Sequence, residues 1–166
     1  MNLNPNKPIV FLDIDGVLNS ANYFITREKD ANLSRDENQI DLKAVKFLNE
    51  ISDWNFVLSS SWRKFKTIDC MNSLLKSKGF LGELISYTPC LAYPNLRGNE
   101  IYQWIDQNII GEFNNYVIFD DDSDFLYWQR NNFLHVDGYW GIGPNHIYKA
   151  KRICQENPSQ EITIKI

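Results

Sequence analysis

The chain has 166 residues, 43% of them hydrophobic, and a formal net charge of −4. This length fits one domain, 1–166, with a sizeable core, and the acidic balance argues against broad nonspecific binding to nucleic acid. No apolar run approaches the length of a membrane span, and residues 1–7 lack the charged and apolar regions of a signal peptide. The three cysteines have no C-x-x-C spacing, which favours reduced thiols and a cytoplasmic protein.

Short apolar runs alternate with amphipathic segments along the chain, which predicts an α/β fold. The predicted strands cover 9–12, 55–59, 84–88, 116–119 and 133–136. The predicted helices cover 41–53, 67–78, 99–109, about 123–130 and 144–154. Residues 20–40 are polar, and we expect an irregular surface loop there. We expect residues 1–7 to be a loose lead-in and residues 157–166 to fray or to add an edge strand.

Strands that alternate with helices predict a Rossmann-like three-layer sandwich, with a central, mostly parallel sheet covered by helices on both faces. In such sheets, ligands bind beyond the carboxyl ends of the strands. The first, second and fourth predicted strands all end in polar or charged residues. We therefore expect these three ends to lie side by side and to form a site.

The first predicted strand is followed by Asp13 and Asp15, and then by Gly16. Residues two apart in a strand share a face, so both carboxylates leave the strand end in the same direction. Two unpaired carboxylates are costly to bury, and a hard divalent cation such as Mg²⁺ compensates them because it prefers oxygen ligands. The alternative is an ordinary polar turn, in which Asp-Gly is common.

The second predicted strand ends in SSSWR, where Ser59, Ser60, Trp62 and Arg63 are candidate phosphate- or substrate-binding residues. Hydroxyls and backbone amides at a strand-to-helix junction make a good anion cradle. A serine-rich turn without a ligand is the alternative. Farther along, Arg97 precedes a predicted helix, where an arginine could bind a phosphate oxygen and balance a carboxylate; a surface arginine is the alternative.

The fourth predicted strand runs into an acidic segment formed by Asp120, Asp121, Asp122 and Asp124. Four carboxylates in five residues would repel one another strongly without a cation. The alternative is a solvated helix start, since aspartate is favourable in a first helical turn. Together with the acids of the first strand end, this segment predicts a metal site.

In this order the motifs resemble the haloacid dehalogenase-like (HAD) phosphatase superfamily. The matching pieces are DIDGVLN at 13–19, VLSS at 57–60, the basic residue Arg97 and IFDDDSD at 118–124. Together they span most of the chain. Within that superfamily, SSSWR, RGNEIYQWI and YVIFDDDSD are similar to the HAD domain of Swiss Army Knife RNA-repair proteins.

The resemblance implies roles for individual residues. Asp13 would be the nucleophile that forms an aspartyl-phosphate, and Asp15 the general acid and base. Ser59 would hydrogen-bond the phosphoryl group with Ser60 beside it, and Arg97 would take the place of the family's basic residue.

The resemblance also implies a Mg²⁺ cofactor. Asp13, the Asp15 carbonyl and an acid of the fourth-strand segment would bind it. Asp121 is the favoured direct ligand, with Asp120 and Asp124 in support. Gly16 is assigned to the phosphate- or substrate-binding part of the same site.

The intervals 19–59 and 61–97 are filled largely by predicted helix and strand, so neither holds a large cap domain. In the superfamily, caplessness goes with open sites that accept macromolecular ends, although small-molecule exceptions exist. The implied partner is thus a phosphorylated substrate, with a nucleic-acid terminus or nucleotide as the leading guess, and no protein partner is evident. A small-metabolite phosphatase and a non-catalytic metal-binding module are the alternatives.

Several aromatic residues near the motifs are candidates for stacking on a base. They are Trp62, Tyr93, Tyr139 and Trp140. Packing in the core or in loops is the simpler interpretation of each. His135 and His146 show no partner spacing, so we expect ordinary structural roles for both.

Overall fold

The computed structural model describes residues 3–92, 94–111, 113–156 and 163–164. The strands are β1 (Ile9–Leu12), β2 (Asn55–Leu58), β3 (Leu84–Tyr87), β4 (Ile109–Ile110), β5 (Tyr116–Asp120), β6 (Phe133–His135) and β7 (Thr163–Ile164). The helices are α1 (Ala21–Thr26), α2 (Leu42–Leu48), α3 (Ile68–Ser77), α4 (Arg97–Asn108) and α5 (Pro144–Glu156). Short 3₁₀ helices cover Glu37–Gln39, Asn49–Ile51, Ser61–Lys64 and Tyr127–Asn131.

Five strands form one parallel sheet in the order β3-β2-β1-β5-β6. The central strand, β1, is buried along its whole length, because its side chains alternate between two cores. Val10 and Leu12 point into a core shared with α2, α3 and α5. Ile9 and Phe11 point into a second core shared with α4. The predicted three-layer α/β sandwich with helices on both faces is therefore confirmed.

The segment at 20–40 differs from the prediction, because part of it is helical and the rest is tied down. Ser20 caps α1 by accepting a hydrogen bond from the Tyr23 N–H at 3.2 Å. The Tyr23 hydroxyl donates to the carbonyls of Asn38 and Ile40, both at 3.1 Å. These contacts bring the segment back to the start of α2, so it is an organised connection rather than an irregular loop.

Several other elements differ from their predicted bounds, most of them by one or two residues. The helix predicted at 41–53 is divided into α2 (Leu42–Leu48) and a 3₁₀ helix at Asn49–Ile51. The helix predicted near 123–130 is a 3₁₀ helix at Tyr127–Asn131. The helix predicted at 99–109 begins two residues earlier, at Arg97, and ends at Asn108, because Ile109 already belongs to β4.

The predicted loose lead-in is anchored in the residues that the structure describes. Leu3 is buried, and the Asn4 N–H donates to Asn55 Oδ1 at 2.8 Å. Lys7 forms an ion pair with Asp53. At the other end, β7 pairs antiparallel with β4 instead of extending the main sheet, and the rest of 157–166 lies outside the described residues.

The connection between β1 and β2 holds only α1, α2 and two 3₁₀ helices, and α2 packs on the sheet. Across the described ranges we find no separate domain above the carboxyl edge of the sheet, as expected from the short intervals. Nor does any helix in those ranges have the length and apolar character needed to cross a membrane.

Candidate active site

The first, second and fourth predicted strand ends meet at one edge of the sheet, because β1 lies between β2 and β5. The Asp13 N–H donates to the Phe119 carbonyl at 3.0 Å, and the Ser59 N–H donates to the Leu12 carbonyl at 2.9 Å. Asp120 is the last residue of β5. The prediction that these strand ends lie side by side is confirmed, and they form the floor of the candidate site.

Three carboxylates converge at this edge, and we call Asp13, Asp120 and Asp121 the inner cluster. Each offers an oxygen within 4.8 Å of the others. Asp13 and Asp120 are 6% and 1% exposed, whereas Asp121 is half-buried. Burial, followed by the charge of Asp13, raises the pKa of Asp120 to about 8. Burial also raises the pKa of Asp13 and of Asp121, so three negative charges are unfavourable here without a cation.

Among the ion pairs of the described residues, the one that includes a member of the inner cluster is formed by Arg97 and Asp120. The Arg97 Nε lies 3.7 Å from Asp120 Oδ2, which is too far for a hydrogen bond. That buried oxygen has no hydrogen-bond partner among the described residues. The Nη1 group of Arg97 instead donates to the Ser59 carbonyl and lies 3.5 Å from Glu100 Oε2.

The inner cluster fits a hard divalent cation. Its donor set consists of carboxylate oxygens, which Mg²⁺ prefers. The orphaned Asp120 oxygen is a buried acceptor that such an ion would satisfy. Asp13, Asp120 and Asp121 are therefore the residues that would hold Mg²⁺.

Two glycines make room for the Asp121 side chain. Gly16 has a φ of +70°, and a Cβ there would lie 2.2 Å from Asp121 Cγ. A Cβ on Gly138 would lie 2.6 Å from Asp121 Oδ2. Gly16 was predicted to bind phosphate or substrate. In the structure it has a steric role instead, because its missing side chain leaves room for Asp121.

Asp15 lies outside the inner cluster, and its side chain is exposed. Asn19 Nδ2 donates to Asp15 Oδ1 at 2.7 Å. Trp62 Nε1 lies 3.1 Å from both oxygens of the same carboxylate. The Gly16 N–H in turn donates to Asn19 Oδ1 at 3.0 Å. Asp15 is therefore held in one orientation while remaining open to solvent.

These contacts change the interpretation of Trp62. Its indole N–H orients Asp15, and the residue is only 9% exposed, so its ring is not an open stacking platform. Tyr139 and Trp140 are exposed and pack edge to face with ring centroids 4.8 Å apart. Tyr93 lies outside the described residues.

The loop after β2 carries two buried serines, and one of them reaches the inner cluster. Ser59 is 0% exposed, and its Oγ has no partner in the described part of the chain. Ser60 accepts a hydrogen bond from the Trp62 N–H at 3.4 Å. Its side chain also hydrogen-bonds Asp13, which opposes the effect of burial on the pKa of that carboxyl. Ser59 is thus the serine whose hydroxyl has no hydrogen-bond partner among the described residues.

Arg63 does not reach toward a substrate as the sequence suggested. Its Nη1 donates to the carbonyls of Ser59 and Ser60 at 2.7 and 2.6 Å, and its Nη2 pairs with buried Glu100. Glu100 also accepts the Leu91 N–H at 3.1 Å. The guanidinium is buried because it fills the inside of the turn, so Arg63 fixes the serine loop to α4.

Asp124 also differs from its predicted place as a supporting metal ligand. Its Oδ2 accepts the Arg97 backbone N–H at 2.9 Å, and its carbonyl accepts the Gly98 N–H at 3.2 Å. It therefore caps the start of α4 and positions Arg97, and it is not part of the inner cluster.

The sequence reasoning assigned no role to Asn19, Glu100 or Gly138. Asn19 had a detectable signal, since it stands four residues after Asp15 in the same motif. Glu100 had a weaker one, because it follows Arg97 by three residues in a helix. Gly138 had none, because its contact with Asp121 joins two distant segments.

The two histidines have structural contacts, as expected. His135 Nε2 lies 3.0 Å from the Asp121 carbonyl, and His146 Nε2 lies 3.3 Å from the His135 carbonyl. The His146 Nδ1 accepts the Gly143 N–H at 3.0 Å. Both rings therefore support the segment behind the cluster.

Comparison with known families agrees with this geometry. Residues 9–147 match the model of the HAD domain in Swiss Army Knife RNA repair proteins. No curated protein matches the chain. HAD domains generally carry out phosphatase chemistry with Mg²⁺, with which the inner cluster is compatible. Because the match covers most of the sequence, the chain belongs to the family of HAD domains found in Swiss Army Knife RNA repair proteins.

Proposed function

We propose that this protein is a Mg²⁺-dependent phosphomonoester hydrolase that works through an aspartyl-phosphate on Asp13. The observation that carries the proposal is the convergence of Asp13 with Asp120 and Asp121, within 4.8 Å, beside the oriented carboxylate of Asp15. This arrangement offers a buried nucleophile and an exposed acid at the same strand end.

The phosphoryl group would be bound by the groups around Asp13. The free Ser59 hydroxyl would donate to one phosphoryl oxygen, and the Arg97 guanidinium would offset charge nearby. When bound, Mg²⁺ would neutralise part of the charge of the inner cluster and of the phosphoryl oxygens. Arg97 and the hydrogen bond from Ser60 also favour the ionised form of Asp13, which is the nucleophilic form.

The reaction would take place in two steps. In the first, an Asp13 oxygen attacks phosphorus, the bond to the leaving oxygen breaks, and protonated Asp15 donates its proton to that oxygen. In the second, Asp15 takes a proton from a water molecule that attacks phosphorus. The bond between phosphorus and Asp13 then breaks, releasing inorganic phosphate and free enzyme.

The leading substrate is a phosphorylated nucleic-acid terminus or a nucleotide. Asp15 is exposed, and the described residues place no separate domain over the site, which suits a large substrate approaching from solvent. A small-metabolite phosphatase would have the same mechanism, and a non-catalytic module would keep the metal site without turnover.

The test measures Mg²⁺-dependent phosphate release by wild-type protein and Asp13→Asn. The panel contains 3′- and 5′-phosphorylated RNA and DNA oligonucleotides, mononucleotides, sugar phosphates and an activated aryl phosphate. Turnover of oligonucleotides that Asp13→Asn abolishes supports the full proposal. Turnover of small esters alone retains the mechanism and rejects the nucleic-acid substrate, whereas metal binding without any turnover supports the non-catalytic module.

A further inference from the structure

A cavity of about 320 Å³ opens directly beside Asp15, and we call it the acid-side cleft. One wall comes from the segment before the 3₁₀ helix at 37–39, and it carries Arg35 and Asp36. The other wall comes from the turn after the 3₁₀ helix at 61–64. That turn carries Phe65 and Lys66.

The cleft lies where the proposed reaction would place the leaving group of the substrate. The inference drawn from it therefore rests on the proposed function. Asp15 would protonate the leaving oxygen, so the leaving group must extend from the phosphoryl group toward the Asp15 carboxylate. Asn19 and Trp62 fix that carboxylate in the lining of the cleft. The cleft is therefore where the part of the substrate next to the scissile bond would lie.

The walls of the cleft offer an aromatic face. Phe65 is 84% exposed, and its backbone N–H is held by the Trp62 carbonyl at 3.1 Å. The ring is thus presented to solvent from an anchored turn beside the catalytic acid. An exposed ring of this kind can stack on a base, because every base has a π face.

The walls also offer a positive charge that forms no ion pair with a described residue. Lys66 pairs with Asp36, and its ammonium lies 5.7 Å from the centroid of the Trp62 ring. Since Lys66 balances Asp36, Arg35 remains as the unpaired cation of the cleft. Its guanidinium is exposed and has no hydrogen bond or ion pair with any described residue.

We propose that the acid-side cleft binds the terminal nucleotide of a single-stranded nucleic acid, with its base on Phe65 and the adjoining phosphodiester on Arg35. The volume of the cleft is at the small end for ligand sites, which suits one nucleotide with the rest of the strand outside. Phe65 and Arg35 then determine substrate choice, while Asp13 and Asp15 perform the chemistry.

The experiment compares two substrates in the presence of Mg²⁺. One is a short RNA oligonucleotide with a terminal phosphate, prepared as the 3′ and the 5′ form. The other is glycerol 2-phosphate, whose leaving group has neither a ring nor a second phosphate. For each variant we use the ratio of kcat/KM for the oligonucleotide to kcat/KM for glycerol 2-phosphate.

Phe65→Ala should lower this ratio about tenfold, which is within the effect of losing one base–aromatic stack. Arg35→Gln should make the dependence of log kcat/KM for the oligonucleotide on log salt less steep by about 0.7, the value for one phosphate contact on a single strand. The controls are Tyr148→Ala, an exposed aromatic on α5, and Arg130→Gln, whose guanidinium lies over the Tyr127 ring. Both controls should match wild type.

An unchanged ratio in Phe65→Ala together with an unchanged salt slope in Arg35→Gln would overturn this inference and leave the phosphatase proposal standing. The inference would also be overturned if the wild-type enzyme had a higher kcat/KM for glycerol 2-phosphate than for the oligonucleotide. A higher kcat/KM for a phosphoserine peptide, added to the panel, would overturn it as well. Failure of the wild type to hydrolyse any of these substrates would instead reject the proposed function itself.

Discussion

Asp13 and Asp15 leave the same strand end two residues apart, yet the structure gives them opposite surroundings. Asp13 is buried against two other carboxylates, and burial raises its pKa. Asp15 is exposed and held by the side chains of Asn19 and Trp62. Two identical side chains thus have different environments, one buried in an acidic cluster and one exposed and oriented, and this difference is the basis for the nucleophile and acid roles that we propose for them.

The largest expected effect comes from Asp13→Asn, which removes the proposed nucleophile and keeps the shape of the side chain. Phosphate release should fall at least about 10³-fold, since losing a nucleophile removes the covalent route. After acid quench during turnover, intact-mass measurement should find an added phosphoryl group on the wild type and none on the variant. Asp69→Asn, at an exposed position in α3, is the control. Equal phosphorylation of Asp13→Asn would assign the nucleophile elsewhere.

Asp120→Asn should have two opposite effects: it should make the metal-free protein more stable at high pH, and it should weaken Mg²⁺ binding. Folding raises the pKa of Asp120 to about 8. Between about pH 4 and about pH 8, the folded protein therefore keeps this proton, whereas the unfolded chain has lost it. The wild type without metal therefore loses stability across that window, and the variant lacks this loss. In EDTA, the variant should gain Tm over wild type at pH 8 and gain less at pH 5.

The same variant should be stabilised less by Mg²⁺, because it lacks one of the proposed ligands and a cation that binds the folded state raises its stability. Thermal unfolding with and without Mg²⁺ measures both effects. A gain of about 1 kcal/mol would raise Tm by about 2–4 °C for a chain of this size. A Tm difference that does not depend on pH would contradict the role of burial in raising the Asp120 pKa.

Gly16→Ala should disturb the inner cluster without changing any of its ligands. The new Cβ would overlap the Asp121 side chain, and alanine is also strained at a φ of +70°. Gly79→Ala is the matched control, since Gly79 has a φ of +85° and no atom within 4 Å of a new Cβ. Both variants should lose about 1–2 kcal/mol of stability, but only Gly16→Ala should also weaken Mg²⁺ binding. Calorimetric titration with Mg²⁺ measures that difference.

The smallest effect is expected for Trp62→Phe, which keeps an aromatic side chain and removes the N–H that orients Asp15. Asn19 would still hold the carboxylate, so kcat should fall only about 3- to 10-fold, which corresponds to a net hydrogen bond of about 0.5–1.5 kcal/mol. Trp128→Phe, at an exposed position, is the control. If kcat for Trp62→Phe equals that of wild type, the indole contact does not position Asp15 for catalysis.

The sequence predicted the fold and the meeting of strand ends because both depend on local patterns. Short apolar runs define the buried strands, and the D-x-D-G turn and the acidic segment that begins at Asp120 directly follow two of these runs. Parallel topology then brings those ends together. The approach of Asp13 to Asp120 needed no side-chain detail, so it could be expected in advance.

The directions of Trp62 and Arg63 could not be read in this way. Both lie in a short 3₁₀ helix, where the side-chain orientation depends on distant partners and not on a regular period. The Trp62 indole N–H donates to Asp15, and Arg63 forms an ion pair with Glu100. The helix within 20–40 was not predicted for a related reason. It is held by the Tyr23 hydroxyl, which donates to the carbonyls of Asn38 and Ile40, and such contacts between residues far apart in the sequence leave no local pattern.

The buried pairing of Arg63 with Glu100 has a consequence for the entropy of binding. It joins the loop after β2 to a helix that begins nearly forty residues later, and Arg97 donates to the same loop from that helix. The serine loop therefore loses its conformational freedom when the protein folds, not when a ligand arrives. A phosphoryl group that enters this site would not have to order the loop, so more of its interaction energy remains for affinity and for the reaction.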